Sequence, residues 1–120
     1  MPIIQVLHAD TYLAMIQGSV GSQAYRNAYA LVDGVRSELT SGGAHSCAFF
    51  VGDILLRFRL TKEPHLRVQG LERDMKDSGW LVTDTPKIGD VIIWKPIVEE
   101  DGQEHLHVGF YMGGDQAISN

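Results

Sequence analysis

Gly89-Asp90-Val91-Ile92-Ile93-Trp94 and, after an acidic stretch, His105-Leu106-His107-Val108-Gly109-Phe110-Tyr111-Met112 decide how this chain is read. Gly89-Asp90 is a turn signal, and the apolar run behind it has strong β-propensity and is bounded by Pro96. Glu99-Glu100-Asp101-Gly102 supplies a hairpin loop, and Gly113-Gly114-Asp115 closes a second turn before Gln116-Ala117-Ile118-Ser119. This part of the chain is therefore expected to be an antiparallel meander in which 91–94 pairs with 106–112.

Upstream the spacing is helical. Ala48, Phe49, Phe50, Val51, Ile54, Leu55 and Phe58 are too densely apolar for a surface helix and fit a buried one. The loop Thr40-Ser41-Gly42-Gly43-Ala44-His45-Ser46 delivers the chain to Cys47 at the start of that helix. Within 23–39, Ala24, Ala28, Leu31, Val35 and Leu39 fall at steps of three and four, which predicts a helix that Gly34 weakens without breaking. A shorter amphipathic helix is expected over 66–75, ended by Ser78-Gly79, and 3–16 reads equally as a strand or a short helix. Trp80-Leu81-Val82-Thr83 reads as a brief strand or an extended connection. Helices first and a meander after predict an α+β class, with N-terminal helices packed on a C-terminal antiparallel sheet and one domain over 1–120.

The 120 residues are of ordinary single-core size, and 44% hydrophobic with 21% charged residues is globular usage. The net charge of -5 is spread over scattered carboxylates with no basic run, which argues against a nucleic-acid partner. Nothing approaches the ~20 apolar residues of a membrane span, and Met1-Pro2-Ile3-Ile4 lacks the basic segment of a leader. The stop at Ile118-Ser119-Asn120, with no turn or polar tail after an apolar strand, is what a piece of a longer protein would show.

A single cysteine excludes an intrachain disulfide and leaves Cys47 as a buried hydrophobe or a reactive group. The helix start favours reactivity, since unpaired N–H groups and the helix dipole stabilise a thiolate. The same donors can hold the oxyanion formed when sulfur attacks an acyl carbon. A thiol nucleophile also needs a base, and His107 is the best candidate because it opens an apolar strand with Gly109 leaving space beside it. His105 shares its face by period-two alternation, and the period alone does not choose between them.

Ser46-Cys47-Ala48-Phe49-Phe50-Val51, then Lys87-Ile88-Gly89-Asp90-Val91-Ile92-Ile93-Trp94, then His107-Val108-Gly109-Phe110-Tyr111-Met112-Gly113 resemble, in order, the three signature blocks of the NlpC-type and CHAP-type cysteine peptidases. Many NlpC-type enzymes carry Asp before the cysteine and Ser-Gly after it, where this chain has Ser46 and Ala48-Phe49. The resemblance implies a papain-like fold, cleavage of amide bonds in bacterial cell-wall peptides, and Cys47 and His107 as nucleophile and base. It also implies a third, orienting residue on the strand after the histidine strand, where Ser119 and Asn120 stand, Asn120 being the better acceptor.

The substrate-side candidates are His45, Ser46, Trp94 and His105, and the expected partner is a peptide or peptidoglycan fragment. Trp94, Tyr111, Phe49 and Phe50 also read as core, Tyr25 and Tyr29 as core more than as residues of the site's rim, and Asp90 as the residue that closes its turn. Glu99 to Glu104 reads as a solvated hairpin tip that would border the cleft if the substrate is cationic, and His8 and His65 read as solvated. No cofactor or metal is expected, because a zinc site on His45, His105 and His107 would lack the tight ligand spacing usual for zinc. The rival readings are a non-catalytic module on the same fold, or a thioesterase, deamidase or acyltransferase built on the same cysteine and histidine.

Overall fold

A computed structural model describes residues 1–43 and 45–120. The elements run α1 (His8–Gly18), β1 (Tyr29–Val32), β2 (Val35–Glu38), α2 (Cys47–Arg57), α3 (Val68–Asp77), β3 (Val91–Val98), β4 (Glu104–Gly113) and β5 (Gln116–Ile118). They make three helices, a two-stranded antiparallel sheet β1-β2 and a three-stranded antiparallel sheet β3-β4-β5. The class is α+β, and no helix among the described residues is long and apolar enough to cross a membrane.

The core forms where α2 lies on β4. Seven of the eleven α2 residues are buried, Cys47, Ala48, Phe50, Val51, Gly52, Ile54 and Leu55, as the dense apolar run requires. Opposite them stand Val108 and Phe110, both fully buried. Phe50 meets Phe110 edge to face at 5.5 Å, and Tyr12 of α1 meets Phe110 in the same way at 5.8 Å. The Tyr12 hydroxyl donates to the Gly89 carbonyl at 2.7 Å, which fastens α1 to the turn before β3. Within that turn Asp90 accepts the Lys87 N–H at 2.8 Å, the closing role expected of it.

The meander pairs as expected, with Val91 opposite Phe110, Ile93 opposite Val108 and Trp94 opposite His107. Pro96 does not end β3. The strand runs on to Val98 through a register shift between Trp94 and Ile97, and this irregularity is what accommodates a residue with no N–H to give to the ladder.

The helix expected over 23–39 is instead the β1-β2 hairpin, in which Leu31 faces Arg36 and Val32 faces Val35. The apolar spacing gives way to turn chemistry: Asp33 (φ 50°) and Gly34 (φ 81°) both adopt the left-handed conformation demanded by a two-residue hairpin turn. The ambiguous first segment resolves into α1, and Leu81 and Val82 lie in an exposed connection without strand pairing. Helix α3 stops as its sequence suggests, with Gly79 (φ 95°) donating to the Lys76 carbonyl and Trp80 to that of Met75, a Schellman arrangement.

His65, expected in solvent, is drawn in by Asp74 of α3, whose Oδ2 lies 2.6 Å from His65 Nε2. The same carboxylate accepts the N–H groups of Lys62 and Glu63 and the Ser78 hydroxyl. Burial by itself raises the Asp74 pKa, but the bonds from His65, Lys62, Glu63 and Ser78 outweigh it and hold the carboxyl at about 2. A folded pKa below the unfolded one means stability that is present above about pH 4 and lost as pH falls toward 2. We predict that Asp74→Asn lowers the melting temperature at pH 6 by several degrees and flattens its fall between pH 4 and pH 2. Unchanged melting of the variant at pH 6 would remove Asp74 as the anchor of the α2–α3 connection.

Candidate active site

The loop before Cys47 is organised by Glu38, the last residue of β2. Its carboxylate accepts the N–H groups of Ala28 (2.8 Å), Thr40 (2.9 Å) and Gly42 (3.1 Å). Burial disfavours its charge, and these bonds, with one from the Thr40 side chain, more than compensate and hold its pKa at about 2. A single carboxylate thus collects N–H groups that the glycine-rich loop has no strand or helix to satisfy.

Ser46, a substrate-side candidate in the sequence, closes the loop and is completely buried. Its hydroxyl donates to the Gly43 carbonyl at 3.0 Å and accepts from the Asn120 side-chain amide at 2.6 Å. With its side chain committed there, Ser46 makes no capping bond to α2. Among the described residues, the first N–H groups of the helix, beginning at Cys47, are therefore left as donors for whatever lies in front of them.

Cys47 is 8% exposed, and its Sγ lies 4.0 Å from the Leu106 carbonyl of β4. That carbonyl is accessible because β5 covers β4 only from Phe110 onward: Ile118 pairs with Phe110 and Ala117 with Tyr111. Short of Phe110, the β5 side of β4 is open, and the start of α2 comes down there. Cys47, His107, His45, Leu106, His105 and Glu99 are among the residues that line one groove of about 320 Å³.

His107 reaches this groove at the end of the sheet rather than across its buried face. Alternation places Val108 and Phe110 toward α2 and His107 with Gly109 on the other side, where the Trp94 ring lies 5.0 Å from the imidazole. Trp94 is half-exposed rather than core. His107 Nε2 is 2.7 Å from Ser119 Oγ. Burial pushes the His107 pKa below its ordinary value, and the charge of Glu99 works against that. No hydrogen bond among the described residues joins Cys47 to His107, so the two share a groove without being paired.

Of the two candidates for orienting the imidazole, Ser119 makes the contact, and Asn120 bonds to Ser46 instead. Register is the reason. With Ile118 opposite Phe110, Ser119 falls beside Gly109, and Asn120 passes on toward the start of α2. His45 and His105 both stand in the groove wall, stacked on each other with ring centres 4.8 Å apart. Glu99 is not merely a solvated tip residue, since its Oε2 lies 3.1 Å from His45 Nε2 in that wall. The sequence carried no signal for Glu38 beyond its being a carboxylate near a loop, and for Glu99 only that the acidic hairpin would border a cleft taking a cationic substrate.

Gly109 makes the Ser119 contact possible. A Cβ there would sit 2.8 Å from both the Ile118 carbonyl oxygen and Ser119 Cβ, and 3.1 Å from the Trp94 ring. Backbone cannot yield to that approach cheaply. We predict that Gly109→Ala moves the 118–119 segment away and changes the His107 imidazole nitrogen shifts in the same direction as Ser119→Ala does. Nuclear magnetic resonance of ring-labelled histidine reads this directly; an imidazole unchanged by Gly109→Ala but changed by Ser119→Ala would separate the two residues.

No protein-family model, curated protein or solved structure matches this chain, so the site is read from its own residues.

Proposed function

We propose that this chain is a papain-like cysteine hydrolase that cleaves amide bonds, with peptides of the bacterial cell wall as the substrate class. The observation that carries the reading is one groove holding Cys47, at a helix start with no side-chain cap among the described residues, together with His107, whose Nε2 is held by Ser119.

In this reading His107 carries its proton on Nε2, donates it to Ser119 Oγ, and keeps Nδ1 free to take the thiol proton. The thiolate attacks the acyl carbon and the oxyanion is held by the first N–H groups of α2. The C–N bond breaks as the imidazolium returns its proton to the leaving amine. Water, deprotonated by His107, then attacks the thioester, releases the acid and restores the thiol. Substrate must bring sulfur and imidazole together, as catalytic hydrogen bonds often tighten only in the complex. Glu99 and Glu104 in the groove wall favour a substrate bearing an amino group.

The lack of a Cys47–His107 hydrogen bond among the described residues favours a second reading, a binding module that keeps the fold without the chemistry. Thioesterase, deamidase and acyltransferase activities share the acyl-thioenzyme and differ only in donor or acceptor.

Iodoacetamide labelling at pH 6 separates these readings. We predict that Cys47 alkylates faster than a free thiol and that His107→Ala slows it roughly tenfold or more. On peptidoglycan stem peptides, Cys47→Ala is expected to abolish cleavage and His107→Ala to reduce it by roughly 10²-fold or more. Equal labelling rates in wild type and His107→Ala would remove the histidine from the mechanism, and slow labelling of both would leave the binding module.

A further inference from the structure

Three side chains at the mouth of the groove converge on one point. His45, from the loop before α2, and His105, from β4, both direct Nε2 at Oε2 of Glu99, at 3.1 Å and 3.7 Å. One ligand atom from each of the three residues lies within 4.8 Å of the other two. A tetrahedral zinc ion with bonds of ~2.0–2.1 Å holds its ligand atoms roughly 3.3 Å apart, so the observed separations need only side-chain rotation to close around one.

We propose that His45, Glu99 and His105 form a binding site for a divalent transition metal, zinc in the first instance, in the wall of the groove. Two imidazoles and one carboxylate are a borderline donor set that suits zinc and its neighbours in the first row, while calcium and magnesium require more oxygen ligands than are gathered here. The field supports a cation: Glu99, Glu100, Asp101 and Glu104 crowd the hairpin, against the single guanidinium of Arg67 in the groove lining. The ligands are accessible, with side-chain exposures of 39% for His45, 38% for Glu99 and 26% for His105. Asp101, whose Oδ2 is 2.8 Å from His105 Nε2, gives up that bond when the nitrogen coordinates, and water fills the fourth position. Bound metal ties the loop that leads into Cys47 to the β3–β4 hairpin and so fixes one wall of the groove. The site stands on these ligands alone and does not depend on thiol chemistry.

The test is a titration of the whole chain with ZnCl2 in competition with a chromophoric chelator. One zinc per chain is expected, with affinity lowered at least about tenfold in each of His45→Ala, His105→Ala and Glu99→Gln and unaltered in Cys47→Ala. Circular dichroism confirms folding, and Glu99→Gln keeps the shape of its side chain should a histidine variant fail to fold. Cobalt in place of zinc is expected to give a tetrahedral visible spectrum without a thiolate charge-transfer band. Retained affinity in Glu99→Gln and His45→Ala, loss of binding in Cys47→Ala, a thiolate band, or calcium binding as tightly as zinc would each overturn the proposal.

Discussion

The edge-to-face contact between Phe50 and Phe110 is the interaction on which the remaining structure depends. It joins the central helix to the central strand, and both partners are buried. An aromatic pair of this kind contributes about 0.5–1.5 kcal/mol beyond the burial of its surface. Its larger effect is geometric: Phe50 stands three residues after Cys47 and Phe110 three after His107, so the contact that closes the core also sets the separation between thiol and imidazole. Tyr12 packs on Phe110 and on Phe58, at 5.8 Å and 5.5 Å, and extends the same aromatic cluster to α1.

The fold was legible in sequence wherever burial wrote it. Ala48 to Phe58 is apolar on nearly every side because α2 is nearly surrounded, and 91–94 with 105–112 reads as strand because one of its faces is core. Legibility failed where an apolar period arose without burial. Leu31 and Val35 keep helical spacing yet are exposed, and Asp33-Gly34, a two-residue turn signal, outweighs a periodicity that no core rewards. Pro96 misled in the opposite direction, since a local shift in register lets the strand pass through it.

At the site, residue types were readable and contacts were not. Cys47 and His107 stood out because helix start, strand and glycine agreed around them. Choosing between Ser119 and Asn120 required the register of β5 to a single residue, which no period supplies. Glu99 looked solvated because its partner, His45, lies 54 residues away, and His65 because its partner, nine residues on, is an Asp that α3 turns inward.

Ser119 and Asn120 are neighbours on one short piece of chain, yet one grips the imidazole of His107 and the other grips the serine that precedes Cys47. The two halves of the groove are thus geared together through a single peptide unit. Both residues also line a second cavity of about 420 Å³ with Tyr25 and Phe50. A displacement of the dipeptide from that cavity would reach the loop carrying Cys47 and the ring of His107 together.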